Sequence, residues 1–333
     1  MPGELTEVTE IATALGMLTP SLSDALTMRP TELLNVSDDA WESLIAAWSS
    51  GRYTASFETA FRNGRAFLDA NDALRGRKPL RVEWKGPHRP PGDDVVPADL
   101  RVDHVYLVSC KYFSKVLLNP GPQRLFERLL VGDGRDGGNW FAECAAEEFQ
   151  EFYMAAIVDQ QLVGFPGSVL DLNRSQQQVL KDALSPRRLP RPMQESWMTL
   201  CSAVATESAN RWNAALGTKR LRLRLLWRLL RISSAAYFVL GTDRNEHLRF
   251  RVDSAWDWMQ AYDLRSFSVE PRVAGQPEVA WQALVHSKSE DSDIVVDGHV
   301  EVRWSHGRFR GVPEAKVYLD TSHADVPGYN SFD

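Results

Sequence analysis

Asp94-Val-Val-Pro-Ala-Asp99-Leu-Arg-Val-Asp103-His104-Val-Tyr-Leu-Val-Ser109-Cys110-Lys111-Tyr112 is the stretch whose reading decides the fold. Its apolar alternation predicts two short strands, residues 95–102 and 105–112, joined by a turn at Asp103 and His104. Successive strand side chains point to opposite faces, which puts Ser109 and Lys111 together and Tyr106, Val108 and Cys110 on the other side. Lysine is rarely buried unless paired. A lysine and a serine beside an aspartate on the neighbouring strand therefore form either an ion pair at a sheet rim or a site with chemistry.

Working outward, Ser37-Asp38-Asp39 opens a helix with a serine N-cap and acids in its first turn, and Trp41, Leu44, Ile45 and Trp48 form its apolar stripe. A second helix, residues 54–74, turns Phe57, Ala60, Phe61, Phe67 and Leu68 inward and carries Glu58 beside them. Leu80 to Trp84 alternates like a strand and holds Glu83, and the prolines after Gly86 make a loop. Beyond the hairpin, residues 113–119 read as a turn or short helix, 123–130 as a helix and 132–138 as a Gly/Asp-rich loop. Helices follow at 140–158, 168–184 and 193–216, the last two separated by the basic, proline-punctuated stretch Ser185 to Arg191. Residues 219–231 are the most basic part of the chain, and their spacing suits a helix face (Arg224, Arg228, Arg231) as well as a strand face (Arg220, Arg222, Arg224). From Ser233 the pattern turns to strands at 235–240, 248–252, 279–285, 294–296, 300–304 and 315–319, with Asp297-Gly298 read as a hairpin turn. The expected organisation is an N-terminal arm (1–36), a core (37–135), a helical region (136–232) and a β-rich C-terminal region (233–333).

The 333 residues are 44% apolar and 25% charged, which places the chain among globular proteins. At a net charge of −6, a nucleic-acid surface must come from a local basic patch. Three widely spaced cysteines predict neither a disulfide framework nor a zinc site, and with no basic, apolar leader the expected location is the cytoplasm. No apolar run of membrane-spanning length is present. His88, His104, His286, His299, His306 and His323 lack metal-ligand spacing and receive no role. P-loop, dinucleotide-binding and nucleophile-elbow motifs are absent, so an ATPase, dehydrogenase or hydrolase of those kinds has no support.

The order helix with Glu58, strand with Glu83, strand with Asp99, strand with Ser109-x-Lys111, then helix, resembles the core of the PD-(D/E)xK, or restriction-endonuclease-like, nuclease superfamily over roughly residues 54–130. The resemblance implies an α/β (α+β) fold: a mixed sheet flanked by helices, here with a helical insertion and a β-rich C-terminal part. It implies a site built from an aspartate on the second strand and an acid-x-lysine on the third, often joined by a glutamate on the first helix. Ser109 stands where the family's acid is usual. Some branches carry Ser-x-Lys there and place the second carboxylate elsewhere, which makes Glu58 and Glu83 the candidates.

The chemistry follows from the phosphodiester. A cation must neutralise the non-bridging oxygens and acidify the attacking water, and Mg²⁺, with Mn²⁺ as a substitute, needs only one or two carboxylates because it keeps several waters. The expected metal set is Asp99, Glu58 and Glu83 with the Cys110 carbonyl, and Lys111 would stabilise the developing charge. DNA is the expected partner, contacted by Arg187, Arg188, Arg220, Arg224 and Arg228, with a homodimer or larger defence complex as the assembly and no membrane. The alternative is an inactive nuclease-like scaffold that binds protein or nucleic acid. A weaker reading places an unrelated site near Asp320 and His323. A second carboxylate beside Asp99 is what separates the first two.

Overall fold

The computed structural model describes residues 3–86, 97–112, 116–128, 138–185, 189–243 and 246–332. In chain order the helices are α1 (Glu4–Leu18), α2 (Leu22–Met28), α3 (Asp38–Ser49), α4 (Thr54–Asp69), α5 (Trp140–Cys144), α6 (Ala146–Asp159), α7 (Arg174–Ala183), α8 (Arg191–Ala215), α9 (Lys219–Leu229) and α10 (Ala255–Ala261). The strands are β1 (Leu33–Leu34), β2 (Val82–Trp84), β3 (Leu100–Val102), β4 (Tyr106–Tyr112), β5 (Val116–Leu118), β6 (Tyr237–Asp243), β7 (Glu246–Val252), β8 (Tyr262–Val273), β9 (Pro277–Ser287), β10 (Ser292–Arg303), β11 (Glu314–Leu319) and β12 (Tyr329–Ser331). The fold is mixed α/β, with one mixed seven-stranded sheet and one antiparallel five-stranded sheet. No described helix is long and apolar enough to cross a membrane.

The chain divides into two compact units. The first holds residues 1–115, 231–262 and 322–333, and the second holds 116–230 and 263–321. The β-rich C-terminal region expected as one piece is therefore shared between them.

In the first unit the sheet runs β1-β2-β3-β4-β6-β7-β12. β2, β3 and β4 form an antiparallel meander, β6 lies parallel to β4, and β7 returns antiparallel to β6. The β3–β4 turn places Asp103 and His104 at φ 51° and 59°. Two successive left-handed residues match a type I′ hairpin. Asp103 Oδ1 also accepts the Leu80 and Arg81 N–H groups at 2.8 and 3.1 Å, which ties the turn to the chain entering β2. α1 and α4 pack on one sheet face in a core that includes Phe57, Phe67, Val102, Val108 and Leu240. Burying a side chain of phenylalanine size stabilises by roughly 1.5–3 kcal/mol.

Residues 1–36, expected as an arm that is either loose or a short partner-dependent helix, open with α1, a 15-residue helix in which every residue from Val8 to Leu18 is buried. The helix is rich in Ala, Thr and Gly, and burial on all sides leaves no amphipathic stripe to read. Small residues let it lie close against α4. A Cβ on Gly64 would stand 3.0 Å from the Thr13 carbonyl carbon and 3.1 Å from Gly16 Cα, and one on Gly16 would stand 3.1 Å from Arg65 N. α4 follows the expected pattern: Phe57, Ala60, Phe61, Phe67 and Leu68 are buried. The predicted N-cap of α3 also forms, with Ser37 Oγ accepting the Ala40 N–H at 3.2 Å.

In the second unit the sheet runs β5-β11-β10-β9-β8. The long helix α8 packs on β9. Phe141, Phe149, Trp197, Trp304 and Phe309 join in an aromatic cluster. Several expectations are corrected here. Residues 116–118 are strand β5 against β11 rather than a helix. Within the helix expected at 123–130, Arg124–Arg128 take π-helical geometry, and residues 129–130 lie outside the described residues. The segment expected as 140–158 breaks into α5 and α6 at Ala145. β8 had no counterpart in the sequence reading. The ambiguous basic stretch is helical, as α9. Asp297-Gly298 is not a turn, because β10 runs straight through it, with Gly298 opposite Trp281 on β9 and Leu319 on β11. A Cβ at Gly298 would lie 2.5 Å from Trp281 Cζ2, so this glycine makes room for the indole rather than for a bend.

Candidate functional site

The hairpin positions the candidate residues through its hydrogen bonding. The β3–β4 register ends at Leu100 opposite Val108. Beyond that pair the Asp99 carboxylate takes the place of a backbone acceptor. Its Oδ2 accepts the Cys110 N–H at 2.7 Å and the Ser109 hydroxyl at 3.3 Å. Asp99 is 5% exposed and Ser109 1%. The Asp99 backbone is held on both sides, with its N–H donating to Val108 O at 2.8 Å and its carbonyl accepting Lys85 N–H at 2.9 Å. The N–H and C=O of one strand residue point to the same side, so the Cys110 carbonyl faces the Asp99 side.

Lys111 is half-buried on β4, in register with Gly241 of β6. A Cβ at Gly241 would fall 2.5 Å from the Lys111 carbonyl carbon and 3.0 Å from its Cα, so only glycine permits this approach. The strand is braced by a buried polar network. Tyr112 and Thr13 hydroxyls lie 2.7 Å apart, Asn63 Nδ2 donates to the Tyr112 hydroxyl and to Gly241 O, and Arg249 Nε donates to Asn63 Oδ1. One network thus joins α1, α4, β4, β6 and β7.

A second buried carboxylate in the first unit is one that the sequence reading missed. Glu10 on α1 is 6% exposed, and its Oε2 accepts the Trp84 indole N–H at 2.7 Å. The Cys110 thiol senses all the charges nearby. Burial pushes its pKa well up, the Asp99 and Glu10 carboxylates add to that, and a hydrogen bond from Thr13 and the Lys111 ammonium oppose them. The signal in the sequence was a glutamate enclosed by Val8, Ile11, Ala12, Ala14 and Leu15, a pattern that only a fully buried helix explains.

Glu58 and Glu83 are corrected as site residues. Glu58 is exposed on α4, because the face of that helix carrying Phe57, Ala60 and Phe61 turns toward the core. Glu83 is engaged across β2 and β3 by Arg101, whose Nε and Nη2 donate at 2.6 and 2.8 Å, and His104 Nδ1 lies 3.2 Å away. The Arg101 bonds hold its carboxyl below the ordinary value despite its partial burial. Of the expected nucleic-acid contacts, Arg187 and Arg188 lie outside the described residues. Arg220 and Arg224 are exposed one turn apart on α9, and Arg228 is half-buried on the same helix.

The donors beside Asp99 suit a hard cation: its carboxylate, the Ser109 hydroxyl and the Cys110 carbonyl supply oxygen only, and Mg²⁺ completes its shell with water. Among the described residues no group of three or more His, Cys, Asp and Glu side chains comes together, so any such ion would rest on this small set. Comparison of the chain with protein-family models, curated proteins and solved structures finds no match.

Proposed function

We propose that the first unit is a Mg²⁺-dependent phosphodiesterase core acting on DNA, of the restriction-endonuclease-like kind, with Asp99 and Glu10 as the metal-binding carboxylates and Lys111 as the charge-stabilising residue. The observation that carries the reading is the buried Asp99 carboxylate, which accepts the Cys110 N–H and the Ser109 hydroxyl on the strand that also carries Lys111. The topology supports it: a helix, an antiparallel three-strand meander and a fourth strand parallel to the third, with the aspartate beside the second strand and the lysine on the third. Glu10 sits on the first helix, the position from which the resembled family often draws its glutamate.

In this reading Asp99, Glu10 and the Cys110 carbonyl would hold the ion, with Ser109 as a further oxygen donor. The bound metal would acidify the attacking water and neutralise phosphate charge. The chain's own contributions are orientation and charge. The Cys110 N–H fixes the Asp99 carboxylate, the Trp84 indole fixes Glu10, and Lys111, on the strand held against Gly241, would stabilise the oxygen on which charge develops. The exposed arginines of α9 offer phosphate contacts in the second unit.

A second reading has its own observation. Asp99 already serves as the acceptor that closes the hairpin, and a serine stands in the acid's position. A scaffold that keeps this bond but not the activity would look the same. One experiment separates the two: incubate the full chain with plasmid and single-stranded DNA in Mg²⁺, Mn²⁺ or chelator, beside Asp99→Asn, Glu10→Gln and Lys111→Met. Metal-dependent cleavage lost in all three variants supports the nuclease. Cleavage by none of the proteins, or equally by all four, favours the scaffold.

A further inference from the structure

The C-terminal half of α6 is apolar on every side. Phe152 to Val158 reads Phe-Tyr-Met-Ala-Ala-Ile-Val, without a charged or amide side chain. A helix of that kind is normally enclosed all round, as α1 is. On α6 one side alone is covered: Phe149, Phe152, Tyr153 and Ala156 are buried, while Met154 and Val158 are 42% and 72% exposed. Val163, just past the helix end, is 94% exposed. The turn before it is tied to the helix, since Gln161 takes a left-handed φ of 51° and the Leu162 N–H donates to Ile157 O at 3.0 Å. Scattered exposed apolar side chains are ordinary, but a group of them on one helix face marks an interaction surface.

The same face says what would cover it. Glu147, Glu151, Met154 and Val158 follow one another at helical spacing and form a single exposed stripe along α6. Glu147 and Glu151 have no ion-pair partner among the described residues. Residues 138–173 hold six acidic side chains and no lysine, arginine or histidine, so the charge they contribute around the stripe is of one sign. A second copy of the chain does not fit. Antiparallel stripes would set Glu151 against Met154 and Glu147 against Val158, and parallel stripes would set each glutamate against itself. Either arrangement buries carboxylates without partners.

We infer that this face of α6 docks a basic amphipathic helix of a partner protein. The partner's apolar side chains rest on Met154, Val158 and Val163, and its lysines or arginines meet Glu147 and Glu151. The apolar contacts hold the complex, and the charges select a basic partner over an acidic one. The inference stands apart from the Asp99 site, since every residue it uses belongs to the second unit and its readout is binding rather than cleavage.

The test is fluorescence anisotropy of the full chain with a labelled amphipathic peptide of leucine and lysine, beside the same peptide with glutamate in place of lysine. The lysine peptide is expected to bind about tenfold more tightly or better, with an affinity that falls as salt rises. Met154→Lys and Val158→Lys should each weaken it about tenfold, and Glu147→Gln combined with Glu151→Gln by a similar factor. Val295→Lys, which adds the same charge at an exposed apolar position on β10, should leave the affinity unchanged. Circular dichroism and urea denaturation check that each variant keeps its fold, and if Met154→Lys does not, Val158→Lys decides. Equal binding of the glutamate peptide, wild-type affinity in Val158→Lys, or a comparable loss in Val295→Lys would each overturn the inference. So would self-association in sedimentation velocity that Val158→Lys abolishes, because the occupant would then be a second copy.

Discussion

Asp99→Ala should destabilise the first unit far more than Asp99→Asn, while both remove any metal-dependent cleavage. The aspartate is 5% exposed and is the acceptor for the Cys110 N–H at 2.7 Å and the Ser109 hydroxyl at 3.3 Å. Alanine leaves that N–H in a buried place without a partner, and an orphaned buried donor costs about 1–3 kcal/mol. The serine bond is long and its hydroxyl can rotate, so it adds less. The sum is about 1–4 kcal/mol, a fall of roughly 2–16 °C in melting temperature for a unit of about 160 residues. Asparagine retains a carbonyl oxygen at the same place and should cost less than about 1 kcal/mol. The assays are urea denaturation followed by circular dichroism, and amide exchange at Cys110, whose protection should fall in the alanine variant and persist in the asparagine one. An Asp99→Ala protein as stable as the wild type, with Cys110 still protected, would show that the carboxylate does not close the hairpin.

Gly241→Ala should cost more than about 2 kcal/mol in the same denaturation assay and disturb the strand carrying Lys111, because the new methyl would overlap the Lys111 carbonyl group. Gly64→Ala should cost about 1–3 kcal/mol by pushing α4 from the Thr13 carbonyl of α1, and should loosen Glu10 with it, read as lower amide protection along α1. Glu83→Gln should leave cleavage unchanged, which an activity assay checks against Glu10→Gln. The Glu83 carboxyl is depressed below its ordinary value of 4.5, so its contribution to stability is present above that value and is lost as pH falls through the folded one. With Arg101 41% exposed the contribution is at most about 1 kcal/mol, and Glu83→Gln should flatten the acid limb of a stability–pH profile by that amount.

The local features were legible because local physics decides them. The Asp103-His104 turn, the Ser37 cap and the inward stripe of α4 each depend on residues close in sequence. α1 was illegible for the opposite reason: its amphipathic signal vanishes because sheet and helices enclose it on every side, and Glu10 went unseen with it. The favoured turn dipeptide Asp297-Gly298 misled because long-range pairing on both edges of β10 overrides a local preference. Glu58 and Glu83 were attractive as spare carboxylates on the right elements. Whether a carboxylate is spare depends on which way a helix faces and which arginine lies across a strand, and neither is written in spacing.

The pairing of β4 with β6 has a consequence for biosynthesis. Residues 116–230, most of the second unit, are made between these two strands. As the chain leaves the ribosome, the edge of β4 that carries Lys111 stays without its neighbour while more than a hundred residues are added. At about 5–20 residues per second this lasts several seconds or longer. An apolar strand edge left open for that time is a template for pairing with other nascent chains. The step that ends the exposure is the arrival of Gly241, whose bare backbone lets β6 dock against β4 without a side chain in the way.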